Sequence, residues 1–266
     1  MPNFHSVAET IIRSAVMVSA GLLLTVVSFP WTGSEAFSQT EPKRIVLIGA
    51  TANAAPALIN QALAAGHEVI GLARRPEAVE TSHERFKAIK GDVYDIDSIA
   101  RVLTGDEVVV SYIDIAMTFG KEVAEGVDLF SRGTTNIIAA MKKKGNRRLI
   151  VASAIGAENI ILDEPADDAS IFDKLAWSRR HKYEDVRRME TIVEASELDY
   201  IILRLPHLVD GGPKGTPNVV VNKNAYNIAV KNQDSPRILT RIDLANFILE
   251  QLDSDEYLET RIALFN

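Results

Sequence analysis

From residue 43 onward the chain alternates short runs of β-branched and apolar residues with helical stripes, and this alternation constrains the fold more than any other feature. Arg44-Ile-Val-Leu-Ile-Gly49 reads as a buried parallel strand entering a turn. Leu58, Ile59, Ala62 and Leu63 then recur as one face of an amphipathic helix over residues 57–65, with Pro56 in its first turn and Gly66 at its end. Residues 67–73 form a second strand, closed by Arg74-Arg75-Pro76. A third strand is expected over 86–93, a helix around 98–103, and a fourth strand at Val108-Val-Val110. A long helix over 123–144 ends in Lys142-Lys143-Lys144 and Gly145, cations suited to the carbonyl end of a helix dipole. Arg148-Leu-Ile-Val151 is a fifth strand, 172–196 a helix, Tyr200-Ile-Ile-Leu203 a sixth strand and 242–252 a last helix; 207–238 reads as irregular. Six strands spaced by helices predict one doubly wound parallel sheet of the α/β class over residues 43–266.

Residues 1–38 are a separate object. The 21 residues between Arg13 and Glu35 carry no charge, and Ala36 and Ser38 stand at −3 and −1 of a cut after Ser38. A basic start, an apolar run and small residues before a cut form a secretory signal peptide, which predicts an exported, periplasmic or secreted protein. Residues 14–34 are also long enough to span a bilayer as an uncleaved anchor, and a buried N-terminal helix is a third reading.

Composition narrows the chemistry. The chain has no cysteine, so thiol catalysis, disulfides and thiolate-ligated metal are excluded. Its five histidines, at 5, 67, 83, 181 and 207, include no pair at ligand spacing, and no metal site is expected. Lys plus Arg number 29 against 36 Asp plus Glu, a net charge of −7 that argues against nucleic acid as the partner. A small-molecule substrate is expected, and oligomeric state is not legible.

Candidate functional residues gather at strand ends. The first strand-to-helix turn, Gly49-Ala-Thr-Ala-Asn-Ala-Ala-Pro56, is placed to aim backbone N–H groups and a helix N-terminus at a pyrophosphate. Gly49 is the one glycine left of a G-x-x-G-x-x-G pattern; Ala52 and Ala55 stand at the other two positions, where the backbone should approach phosphate or the helix should pack closely, and their methyls are expected to crowd the cradle. The competing reading is an ordinary β–α turn. Arg74 and Arg75 close the second strand where NAD binders carry an acidic residue, and Glu68 lies at the opposite end. Two guanidiniums there suit a 2′-phosphate, against the plainer reading of a solvated charge pair. Together these features favour NADP over NAD. Asp92 and Val93, after the third strand, would flank the adenine. Asp163-Glu164 with Asp167-Asp168 reads as a solvated loop, the lysine run as helix-end charge, and His207 as a packing residue or a proton donor.

The chain resembles the atypical short-chain dehydrogenases of the NAD(P)H-binding, NmrA-like and biliverdin-reductase-B-like group. The resemblance rests on the order and spacing of Ile48-Gly-Ala-Thr51, Ala73-Arg-Arg-Pro76, Gly91-Asp-Val93, Gly133-Thr-Thr-Asn136, Leu149 to Gly156, Glu190 with Ser196 to Tyr200, Ile202 to Pro206 and Leu239 to Ala245. It implies a Rossmann domain of strand order 3-2-1-4-5-6 with a small C-terminal substrate lobe and NADP(H) across the strand ends. Carried over by position, Gly49, Thr51, Asn53 and Ala54 would hold the pyrophosphate, Arg74 and Arg75 the 2′-phosphate, and Ser153 and Pro206 the nicotinamide side. Conventional members of the superfamily use a Tyr with a Lys four residues later as acid/base and its activator. Alignment on Glu190 puts Lys182 and Val186 there. Tyr183 lies one residue off, with Arg187 at i+4, and Tyr183 shares an apolar stripe with Val186, Met189 and Val193. Lys182 and Tyr183 are thus the catalytic candidates, and packing is the competing role for Tyr183. Ala154 stands where many relatives have a second Ser. The sequence therefore predicts an exported NADP(H)-dependent oxidoreductase acting on a small acceptor, or a nonenzymatic nucleotide-binding sensor or interaction protein on the same fold.

Overall fold

Ile45, Val46, Leu47 and Ile48 are all shielded from solvent, so the first strand is buried on both of its faces. That is the requirement of a central strand with helices on either side. The computed structural model describes residues 41–114, 126–158, 163–164, 166–169, 174, 177–221 and 238–266. The apolar run over 14–34 lies outside the described residues. Among the described residues no helix is long and apolar enough to cross a membrane.

The strands are β1 (Arg44–Ile48), β2 (Glu68–Ala73), β3 (Phe86–Lys90), β4 (Val108–Ser111), β5 (Arg148–Ala154), β6 (Asp199–Leu205), β7 (His207–Val209), β8 (Asn218–Val221), β9 (Ile238–Thr240) and β10 (Thr260–Phe265). The helices are α1 (Ala55–Ala64), α2 (Ile96–Ala100), α3 (Leu129–Lys144), α4 (Arg180–Glu194) and α5 (Arg241–Glu250). The main sheet runs β3-β2-β1-β4-β5-β6-β10-β8, and β7 pairs with β9 in a separate two-stranded sheet. This contains the expected order 3-2-1-4-5-6. All pairs in the main sheet are parallel except β10 with β8.

The period-two alternation of each strand divides the core. Ile45 and Leu47 face α1 and α5, packing with Leu58, Ile59, Leu244 and Phe247. Val46 and Ile48 face α2, α3 and α4, packing with Ile99, Ile137, Met141, Val186 and Met189. The sheet reverses its winding between β1 and β4, since β1 pairs with β2 on one side and β4 on the other. Ligands of open α/β sheets bind at such a switch point, outside the carboxyl ends of the strands.

Several boundaries differ from expectation. The helix expected over 123–144 begins at Leu129, with residues 126–128 in a turn and coil, while 115–125 lie outside the described residues. The reason is a cap supplied from elsewhere. Asp185 on α4 accepts the N–H of Phe130 at 2.8 Å and of Ser131 at 3.3 Å, and the Ser131 hydroxyl. The helix expected over 172–196 has Arg180–Glu194 as its continuous part, after a turn at Arg179. The third strand stops at Lys90, because Asp92 and Ser98 fold the following residues into a side-chain-bonded turn. The segment read as irregular over 207–238 contributes β7 and β8, and β9 begins at its last residue. Beyond the last helix β10 extends the sheet, in parallel register with β6.

Candidate nucleotide site at the strand ends

Gly49 turns the chain out of β1 with φ +92°. A Cβ at this position would run into the backbone carbonyl of Tyr112, so only glycine fits both the turn and the neighbouring β4 end. The turn then folds on itself. Gly49 and Ala50 donate to Leu72 O, Ala52 donates to Gly49 O, and Ala55 donates to Ala52 O. Among the described residues the N–H groups of Thr51, Asn53 and Ala54 find no acceptor. At the opening of α1 three N–H groups thus lack a described acceptor, those of exposed Thr51 and Asn53 and of buried Ala54, and N–H groups so placed are the kind that take phosphate oxygens. Pro56 adds no competing donor. The donor set therefore fits a pyrophosphate.

The two alanines of the turn are not equivalent. Ala55 is 1% exposed, and its methyl packs in the apolar cluster between the sheet and α5. It therefore does not crowd the cradle as expected; it fills the helix–sheet contact. Ala52 is half-buried and stays beside the turn.

Arg74 and Arg75 follow β2 directly, both are exposed, and neither makes an ion pair with a described residue. Asp92 and Val93 lie past β3. The Asp92 carboxylate accepts the Tyr94 N–H at 3.0 Å, and the Val93 carbonyl accepts from Asn136 Nδ2 at 2.9 Å, which ties this edge to α3.

On the far side of the switch point stand Asp114 after β4, Ser153 at the end of β5 and Pro206 after β6. Lys182 Nζ donates to Asp114 Oδ1 at 2.8 Å and sits 5.6 Å above the Phe130 ring. Asp114 was missed from sequence because its only signal is its place three residues past a strand. Tyr183 is half-buried, with its ring against Gly156; a Cβ on Gly156 would lie 2.5 Å from the ring. Arg187, the i+4 residue that could have activated a tyrosine, instead donates to the Ala157 carbonyl at 2.9 Å. Ser153 Oγ donates to Glu190 Oε1 at 2.5 Å, and Glu190 is gripped by Arg204 at 2.8 and 2.6 Å. Glu190, a reference point in the sequence, is thus one half of a buried ion pair. Tyr112 is largely buried, and burial pushes its hydroxyl pKa up, which makes it a poor proton donor. His207 is exposed at the start of β7. The carboxylates at 163, 164, 167 and 168 are exposed. Among the described residues no group of three or more His, Asp or Glu is placed to hold a metal ion.

With this geometry in place, the comparisons with known proteins give the class. The chain belongs to the NAD(P)H-binding family, whose model matches residues 49–255. It is similar to a Rossmann-fold NAD(P)-binding family protein from Shigella flexneri, with TM-score 0.60 and 21% identity over 84% of this chain and 93% of that one. The oxidoreductase ylbE from Lactococcus lactis gives TM-score 0.63 and 19% identity over 84% and 90%. A short-chain dehydrogenase/reductase from Veillonella parvula in complex with NADP gives TM-score 0.59 and 20% identity over 85% and 95%. Among curated proteins, cinnamoyl-CoA reductase 1 of Petunia hybrida is 25% identical over 142 residues, half of this chain. That match spans 41% of the relative's length.

Proposed function

We propose that the chain is an exported oxidoreductase of the atypical short-chain dehydrogenase group that binds NADP(H) in preference to NAD(H) and serves a small acceptor. One observation carries the preference: two exposed guanidiniums without ion-pair partners among the described residues stand at the end of β2, beside a cradle with three orphan N–H groups. A 2′-phosphate offers a guanidinium bidentate, charge-assisted hydrogen bonds that a ribose hydroxyl cannot. The NADP-bound relative from Veillonella parvula is in keeping with this reading.

Bound NADPH would supply hydride. The chain's own residues would hold and orient it, with Thr51, Asn53 and Ala54 on the pyrophosphate and Ser153 and Pro206 toward the nicotinamide. Proton supply is the weaker half of the site. Lys182 is engaged with Asp114, and the Tyr183 hydroxyl makes no hydrogen bond to a described residue. We therefore assign the acceptor to the class that takes hydride without an enzymic acid, such as a flavin or quinone. The same features favour one second reading, a nucleotide-binding sensor without turnover.

Two measurements test this. Nucleotide released on denaturing the purified protein is expected to be NADP(H) by mass; recovery of NAD(H) alone would contradict the assignment. Protein recovered from fractionated cells is expected outside the cytoplasm with its N-terminus near Gln39. A soluble cytoplasmic species that keeps Met1 would contradict export.

A further inference from the structure

Arg179, at the head of α4, carries a charge that nothing described in the fold compensates. The residue is half-buried, and its Nε–H is shut off from water with no hydrogen-bond partner. Among the described residues its guanidinium makes no ion pair either. An arginine cannot shed its proton to relieve this, so a half-buried guanidinium calls for an anion. Its neighbours on α4 do have partners. Lys182 meets Asp114 at 2.8 Å, His181 contacts Glu184 at 3.0 Å, and the Arg180 guanidinium lies 3.9 Å from the centre of the Trp177 ring. The local field adds to the imbalance. The amino end of a helix is the positive end of its dipole, yet α4 has no acidic residue in its first turn and no side chain capping it.

The place of Arg179 says which ligand would bring that anion. Arg179 stands seven residues before Val186 and fourteen before Val193, so it continues the stripe of α4 that packs on the sheet. At this level the helix has reached the carboxyl ends of β4 and β5. Lys182 meets Asp114 three residues past β4, and the Tyr183 ring rests on Gly156 two residues past β5. These strands lie on the opposite side of β1 from β2, where Arg74 and Arg75 stand. In the functional reading above, the phosphates of NADP(H) are taken at the turn after β1 and at the end of β2. Its nicotinamide brings no negative charge. We propose that Arg179 binds an oxyanion of the acceptor, so that the acceptor is a hydride-accepting ring system carrying a phosphate, sulfonate or carboxylate rather than an uncharged one. The proposal rests on the oxidoreductase reading and adds to it the charge of the substrate.

The test uses two pairs of ring compounds that differ by one charged group: riboflavin with its 5′-phosphate FMN, and 1,4-naphthoquinone with its 2-sulfonate. Each is titrated by calorimetry into the full-length protein saturated with NADP+, so that no turnover is needed. In a pair that binds, the charged member is expected to bind about tenfold more tightly, the ratio one charge-assisted hydrogen bond gives. The net charge of −7 repels anions in general, so such a preference has to arise locally. Arg179→Ala is expected to bring the ratio to about one with NADP+ affinity unchanged, and Arg179→Lys, which keeps the charge without the planar fork, to retain part of it. Equal affinities within the pairs, a ratio that survives Arg179→Ala, or no binding of either pair to a protein that holds NADP+ would overturn the proposal. A loss of NADP+ affinity in Arg179→Ala would overturn it as well, by giving the arginine to the cofactor's own phosphates. Failure of NADP+ to bind at all would instead overturn the functional reading beneath it.

Discussion

At the scale of single residues, Tyr183 separates two versions of the proposed oxidoreductase, with and without an enzymic proton donor. Its ring rests on Gly156, and its hydroxyl makes no hydrogen bond to a described residue. Arg187, one turn along α4, is held by the Ala157 and Glu158 carbonyls. We therefore expect Tyr183→Phe to leave thermal stability, NADPH affinity and NADPH-dependent reduction of a quinone or flavin unchanged. A rate loss of about 10²-fold or more with binding intact would make Tyr183 a proton donor after all. The positions of the proposed cofactor residues along the chain were legible at this scale. Gly49 at the end of a buried strand and the arginine pair after the next need only strand periodicity to be placed. The opposite half was not legible, because its contacts join distant residues. Ser153 meets Glu190 across 37 positions, and Lys182 meets Asp114 across 68. No local spacing announces either pair.

At the scale of elements, α3 shows how an end can be set by another element. Asp185 is fully buried, accepts two backbone N–H groups and a hydroxyl at the start of α3, and receives Arg188 at 3.1 Å. It thereby satisfies donors that a helix start ordinarily offers to its own N-cap side chain. Asp185→Ala would leave those donors buried and unpaired. We expect a loss of about 2–3 kcal/mol in denaturant unfolding, with the midpoint lowered and the slope unchanged. A change within about 0.5 kcal/mol would show that the cap does not hold α3 to α4. The same dependence on distant partners explains the missed boundaries. The sequence pattern over 123–144 does not mark where the helix starts; the Asp185 contact at Phe130 and Ser131 does. Strands β7 and β8 are three and four residues long, too short for a pattern to emerge. The two-sided burial of β1, β4 and β5 left an unmistakable trace, since long apolar runs have few other places in a soluble fold.

At the scale of the whole molecule, the amino-terminal end of the interior strand β4 is held by charge as well as by apolar contact. Glu107, ahead of β4, is 2% exposed. Burial pushes its carboxyl up, but side-chain hydrogen bonds from Thr104 and Asn146 and the N–H groups of Thr104 and Gly105 outweigh this and hold it at about 2, against an ordinary 4.5. The folded state thus prefers the ionised form. The stabilisation is complete above about pH 4.5, is lost as pH falls toward 2, and is worth roughly 3 kcal/mol at neutral pH. Glu107→Gln is expected to be markedly less stable than the unmodified protein at pH 7 and nearly equal to it by about pH 1.5 in urea unfolding. An equal difference at both values would show that the carboxylate charge is not the cause. This end of β4 lies opposite the candidate nucleotide site at the carboxyl ends of the strands, so stability and binding can be tested separately. The central claim concerns the carboxyl ends of the strands, where we propose that Arg74 and Arg75 bind the 2′-phosphate of NADP(H) beside the N–H groups of the turn. It is tested most directly by fluorescence titration of the protein with NADPH and NADH at one ionic strength. Charge-assisted hydrogen bonds of about 1.5–3 kcal/mol predict at least tenfold tighter binding of NADPH, with the preference shrinking in Arg74→Ala and Arg75→Ala. Equal affinities for the two nucleotides, or a preference untouched by both substitutions, would contradict it.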